Sequence, residues 1–220
     1  MRRFALMRKK ERWTATWLGN SLKIALFIFF IFIFSRTIYP FLAPDRPLLS
    51  DILVVEGFIP DYALKESIKI FQRGNYRLMI VTGKQRTHGS QLDQYRNDGD
   101  YAAATLVKMG FDPDMLQVIA LENDVRRDRT YASALAVKDW LNQNGLRLDS
   151  LDVVSIGCHS RRSRYLYRLA FDKKTEIGIH AIRNKSYDPD KWWKSSHGFR
   201  DVLEETIAYI YAVFFFFPGK

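Results

Sequence analysis

Two stretches of this chain gather arginine, hydroxyl and imidazole side chains at short spacing: Arg126-Arg127-Asp128-Arg129-Thr130 and His159-Ser160-Arg161-Arg162-Ser163-Arg164. Each stands where apolar periodicity predicts the start of a helix. Cations at a helix start oppose the macrodipole, at about 0.3–1 kcal/mol each when exposed, so both turns call for an anionic partner. Helix N-terminal N–H groups already favour phosphate or carboxylate, and two such turns meeting in one crevice would form an anion site. If they do not meet, they are two solvated arginine clusters.

Other residues supply the chemistry such a crevice would need. Arg129, Arg161 and Arg162 offer planar bidentate donors, whereas Lys84 offers a point charge. Thr130 and Ser160 add hydroxyls. Imidazole titrates near neutral pH, so His159 could give or accept a proton, unless it merely caps the following helix. Glu56 could act as a base, orient a water, bind a sugar hydroxyl, or pair with an arginine and do no chemistry. Gly57 and Thr82-Gly83 follow two successive apolar runs, where glycine permits a sharp turn and close approach of a ligand.

Several chemistries lack their residues. His88, His159, His180 and His197 are far apart, with no paired-cysteine or His-x-x-x-His spacing, so no metal site is expected. The turn Glu56-Gly57-Phe58-Ile59-Pro60 lacks the glycines of a dinucleotide or Walker loop, which disfavours a standard NAD or ATP enzyme. Cys158 is the only cysteine, so there is no internal disulfide. Beside cations at a helix start it has the setting of a thiolate nucleophile, but at the end of an apolar run it reads first as a small core residue.

The elements that must position these groups alternate. Short, largely apolar runs at 52–55, 78–81, 117–120, 152–156 and 177–182 predict five strands. Helical patterns at 61–72, 100–109, 130–144, 161–171 and 200–216 predict the helices between and after them. Gly74, Gly110 and Gly145 follow helical runs where a left-handed C-cap is wanted. This order predicts an α/β, Rossmann-like three-layer sandwich with a mainly parallel five-stranded sheet, whose ligands bind beyond the carboxyl ends of the strands. Two polar insertions, 84–98 and 184–198, fall on that edge. The second holds Trp192-Trp193 between lysines, and the chain ends in the apolar run 207–217. That run reads as a core-packing last helix, with its phenylalanine tip and the tryptophan pair suited to a membrane interface.

The net charge of +10 is unevenly placed: residues 1–36 hold eight Lys or Arg against Glu11 alone. The remainder is nearly balanced, which excludes a nucleic-acid binder. Within that basic region Ile24–Phe34 is an unbroken apolar run bracketed by Lys23 and Arg36. With both cations snorkelling, a helix over 17–39 is long enough to span a bilayer. Such a short core also fits a signal peptide, but no small-x-small cleavage site precedes Pro40, which favours a retained anchor. The expected organisation is a basic cytoplasmic tail (1–16), a transmembrane helix (17–39), a proline-rich extended linker (40–50) and one extracytoplasmic α/β domain (51–220). The positive-inside bias orients it with the N-terminus in the cytoplasm.

In order and spacing these motifs resemble the YdcF-like domain, a bacterial family that includes membrane-anchored SanA- and ElyC-type envelope proteins. The resemblance covers about 51–216. Val54-Val55-Glu56-Gly57 resembles the family's opening strand and glycine turn, 63–74 its first helix, and Val81-Thr82-Gly83 its second strand end. Arg129-Thr130 resembles the threonine-bearing helix start, and Ser155 to Arg162 the strand followed by His, two residues and Arg, which falls on His159 and Arg162. Glu204 or Glu205 resembles the acid of the last helix. Phe58 stands where the family usually has a second glycine, and Arg129 and Ser133 replace the usual Asn and Glu around the threonine. The resemblance implies a site at these residues, a part in envelope or peptidoglycan maintenance, and in one version a nucleotide-type ligand such as S-adenosylmethionine.

Residues and resemblance together predict a membrane-anchored protein that binds a phosphate-bearing envelope metabolite, for instance a lipid-linked precursor, and hydrolyses or transfers it. Arg129, Arg161 and Arg162 would hold the anion, His159 would handle a proton, and Glu56 would orient the attacking group. Two alternatives are a non-catalytic binding or regulatory module and an S-adenosylmethionine-dependent transferase. The expected partners are the lipid bilayer and an anionic small molecule or lipid-linked precursor.

Overall fold

Ile52-Leu53-Val54-Val55 is apolar at every position because the strand it forms, β1 (Ile52–Glu56), is buried along its whole length. In the computed structural model, which describes residues 14–48, 50–85, 94–95, 97–121, 128–171 and 174–218, β1 is the centre of a five-stranded sheet. The other strands are β2 (Leu78–Gly83), β3 (Leu116–Ala120), β4 (Ser150–Ile156) and β5 (Glu176–Ile182), in the order β3-β2-β1-β4-β5. All four pairings are parallel, so the sheet is wholly rather than mainly parallel. The helices are α1 (Trp17–Leu42), α2 (Asp61–Arg73), α3 (Asp98–Lys108), α4 (Arg129–Gln143), α5 (Ser160–Ala170) and α6 (Ser196–Phe214).

The two-residue alternation of β1 divides the core. Ile52 and Val54 face Ala134, Val137 and Leu141 of α4 and Tyr167 and Ala170 of α5. Leu53 and Val55 face Ala63, Leu64, Ile68 and Phe71 of α2 and Ala102 and Leu106 of α3. Helices on both faces make three layers, as the alternation of apolar runs predicts. The chain adds β2 and β3 on one side of β1, then returns to place β4 on the other. The crevice between the ends of β1 and β4 is therefore the topological switch point, where open α/β sheets bind ligands.

Helix ends follow expectation with one exception. Gly110 and Gly145 take positive φ of 91° and 68° after α3 and α4, but Gly74 has φ −91°. At Gly74 a Cβ would sit 2.4 Å from the ring of Tyr76, so a side chain there requires that ring to shift.

Contacts divide the chain into two compact units between Thr37 and Ile38. The first holds most of α1, whose best 18-residue window has a mean hydropathy of 2.0 and is only 6% buried. Among the described residues, this helix is long and apolar enough to cross a membrane, as an anchor or a signal sequence would be. The basic residues Arg2 to Arg12 lie outside the described residues. The segment 40–50 differs from a free extended linker. Pro40 stands inside α1, Leu42 is fully buried, Arg46 pairs with Ile179 of β5, and Leu48 N–H and the Ser50 hydroxyl both bond to buried Asp152. Asp152 supplies the acceptors that hold this segment to the sheet.

Candidate functional site

At the switch point lies a cleft of about 450 Å³. The ends of β1 and β2 form its floor, with Glu56, Thr82, Gly83 and Lys84, and Phe58 stands at its edge. The starts of α3 and α4 supply Asp98, Asp128, Arg129, Thr130 and Ser133. The turn after β4 supplies His159 and Arg162, and α6 supplies Glu205.

His159 reaches the cleft from a single 3-10 turn, Gly157–His159, which joins β4 to α5. Gly157 has φ +48°, and a Cβ there would meet both Asn184 and the Tyr39 hydroxyl at 3.2 Å, so the sharp turn that aims the imidazole needs glycine. The ring Nδ1 lies 2.8 Å from Glu205 Oε1. Arg162 grips the same carboxylate through Nε to Oε2 and Nη2 to Oε1, each at 2.9 Å. Arg162 Nη2 is also 2.9 Å from His159 Nδ1, but with Nδ1 protonated both nitrogens are donors and Glu205 receives both. The other ring nitrogen, Nε2, is buried and has no hydrogen-bond partner among the described residues. It stands 3.7 Å from Glu56 Oε1, attracted but beyond hydrogen-bond length. Ser163 donates to Glu56 at 2.9 Å and holds that buried carboxyl in place.

This arrangement sets the charge states. Burial opposes a charged imidazole, but the Glu56 charge and the hydrogen bond to Glu205 outweigh it and push the His159 pKa up from 6.5 to about 9. Burial also opposes an ionised Glu205, yet His159 and Arg162 hold its carboxyl well below the usual carboxylate range. At neutral pH the site therefore presents an imidazolium whose free N–H points to the Glu56 side.

The sequence-predicted residues divide. Glu56, Thr82, Lys84, Arg129, Thr130, His159 and Arg162 come together around the cleft. Among the described residues Lys84 and Arg129 make no ion pair, and Asp128, the N-cap of α4 at φ 52°, makes no side-chain cap bond. The first N–H groups of α4 thus remain available to an anion. Arg162 is already neutralised by Glu205, so it positions His159 more than it offers charge. Arg161 does not enter the cleft. Its guanidinium lies 3.9 Å over the Phe41 ring and its Nε donates to the Phe41 carbonyl, because its place on α5 faces outward from the crevice. Ser160 Oγ is wholly buried and does not line the cleft. Gly83 lines it and Gly57 does not, and both are required by packing rather than by a ligand. A Cβ on Gly83 would meet Gly99 N at 1.9 Å, and one on Gly57 would meet Thr82 O at 2.5 Å. Arg126 and Arg127, and most of the 84–98 insertion, lie outside the described residues.

Cys158 is a core residue. It is 1% exposed and donates to Asp201 at 3.3 Å, and burial first, then the Asp201 charge, pushes its thiol pKa far up. Trp192 is 3% exposed, packed with Leu42, Cys158, Tyr187 and Val202, so it serves the core and not a membrane interface. Residue patterns missed Asp98 and Asp128 as lining groups, and Ser163 as the clamp on Glu56. The resemblance left Glu204 and Glu205 open, and it is Glu205 that faces the cleft. Compared with known proteins, the chain matches no family model and no curated protein.

Proposed function

We propose that this chain is a membrane-anchored, extracytoplasmic protein of the YdcF-like kind that binds a phosphate-bearing envelope metabolite and transfers or hydrolyses its phosphoryl group. The observation that carries this reading is His159 Nε2, a buried ring N–H without a partner among the described residues, beside Glu56 and facing a cleft rimmed by Lys84 and Arg129. The anchor is supported by the apolar length of α1, and the outward orientation by the basic residues before it.

The chemistry follows from which groups hold protons. The phosphate sits against Lys84, Arg129 and the N–H groups that open α4, where charge developing in the transition state meets fixed donors. Water attacks phosphorus as the bond to the leaving oxygen breaks. Protonated His159 gives its Nε2 proton to that oxygen, and Glu56 takes the proton released by the water. Glu56 then returns the proton to Nε2 across 3.7 Å, which restores the starting state. Glu205 and Arg162 position the imidazole, and the Glu56 and Glu205 carboxylates keep it charged.

Full-length protein in detergent should be stabilised against heat by inorganic phosphate or undecaprenyl phosphate, less so at high salt, and should release phosphate from undecaprenyl pyrophosphate. His159→Ala should keep the stabilisation and lose the release. Absence of any stabilisation by these ligands would remove the phosphate reading. The bidentate Arg162–Glu205 pair favours one competing reading, a binding or regulatory module held rigid by ion pairs. Stabilisation without turnover, with cellular function retained in His159→Ala, would select that module.

A further inference from the structure

The last helix bears an apolar face that the described residues leave uncovered. From Thr206 to Phe217 the sequence has no charged residue. Its inward side explains part of this, since Ala212 is buried and Phe216 packs edge-on against Tyr131 at 5.2 Å. On the outward side Ile207, Ile210, Tyr211 and Phe214 are 67%, 46%, 47% and 66% exposed, spaced i, i+3, i+4, i+7 along one stripe. Phe215 and Phe217 extend it at 67% and 79% exposure. A helix apolar on both sides is suited to an apolar medium on the side its own domain does not fill.

The start of the same compact unit indicates which medium. Leu42 is buried with Val202 of α6, and the Phe41 ring lies 5.7 Å from Tyr209 of α6. These residues end the helix that is long and apolar enough to cross a membrane, so the chain enters the domain beside α6. Phe41 is itself 44% exposed, and Arg161 caps it with a guanidinium 5.9 Å from the Tyr209 ring. Aromatic rings next to a stacked arginine match the level where lipid phosphates meet acyl chains. The helical part of the stripe, 207–214, is about 12 Å long, too short to span but long enough to lie in the interface.

We propose that the outward face of α6 docks into the interface of a bilayer carrying anionic headgroups, a proposal that rests on the anchor reading of α1. Glu205 is on the inward side of this helix, two residues before Ile207. Docking would therefore fix the helix that holds His159 and bring the cleft to lipid-linked material.

The test uses full-length protein in vesicles of phosphatidylethanolamine and phosphatidylglycerol, with a bimane label on single cysteines in a Cys158→Ala background. Ile210→Cys, Phe214→Cys, Phe29→Cys in α1 and Lys108→Cys on α3 are compared, using nitroxide lipids and aqueous iodide as quenchers. Labels at 210 and 214 should lose emission to nitroxide lipids and resist iodide, as at 29, while the label at 108 does the reverse. Quenching by lipid at 29 with iodide quenching at 210 and 214 overturns the docking alone. Protection of 210 and 214 from both quenchers also overturns it, in favour of a second copy of the chain. No lipid quenching at any position overturns the anchor reading and the docking with it.

Discussion

Nδ1 of His159 stands 2.8 Å from Oε1 of Glu205, and Arg162 engages both oxygens of the same carboxylate. One acid thus answers two cations that the chain places three residues apart. Glu205→Gln keeps the shape but leaves both cations facing a neutral amide. Removing one side of a buried pair costs about 3–5 kcal/mol. The melting temperature of the variant should fall by roughly 6 °C or more. An unchanged melting temperature would mean that the network contributes nothing to the fold.

Stability should depend on pH with a sign set by the same pair. The folded pKa of His159, about 9, lies above its ordinary 6.5, so its contribution is full below pH 6.5 and is lost as pH rises to 9. The depressed Glu205 carboxyl contributes above its ordinary 4.5 and is lost as pH falls toward its folded value. Burial lowers the pKa of His180, which works in the opposite sense below pH 6.5. The difference in unfolding free energy between wild type and His159→Gln isolates His159. That difference should shrink from pH 6.5 to pH 9, and a flat difference would remove the imidazolium from the site.

The sheet was legible because parallel strands buried on both faces are largely apolar: 52–55 and 78–81 are so at every position, and 152–156 departs only at Asp152 and Ser155. Strand ends then located Glu56, Thr82 and His159 at one edge. Direction on a helix was harder to read: Arg161 and Arg162 are neighbours, yet about 100° of helical rotation sends one to Phe41 and the other to Glu205. Nothing local distinguishes them, since the deciding partners lie about 120 residues upstream and 43 downstream. The choice between Glu204 and Glu205 stayed open for the same reason, being fixed by where α6 crosses the sheet edge.

The same division separates two arginines by function. Arg129 lines the cleft at the start of α4, whereas Arg161 is stacked on Phe41. Arg129→Ala should weaken the heat stabilisation given by inorganic phosphate and flatten its salt dependence. Arg161→Ala should leave both as they are. Equal losses in the two variants would place the anion elsewhere than the cleft.

Gly83 tests whether the β2 end is shaped by packing. A Cβ there would meet Gly99 N at 1.9 Å and Gly99 Cα at 2.5 Å, both backbone atoms that cannot swing aside. Gly83→Ala must push the start of α3 outward, at a typical overpacking cost of about 1–3 kcal/mol. Its melting temperature should fall even with no ligand present. A wild-type melting temperature with weakened phosphate binding would instead make Gly83 a ligand contact.

Cys158 is next to His159 in sequence, yet its thiol is turned to Asp201 at 3.3 Å and Tyr187 at 3.7 Å, on the far side of the turn. Burial and the Asp201 charge raise its pKa, so almost none of it is thiolate at pH 8. Iodoacetamide should therefore leave Cys158 unmodified in the native protein and react only as denaturant opens the domain, at a rate that follows unfolding. Fast, stoichiometric alkylation of the folded protein would show an accessible thiolate, and the cysteine beside the imidazole would then have to be counted among the reacting groups.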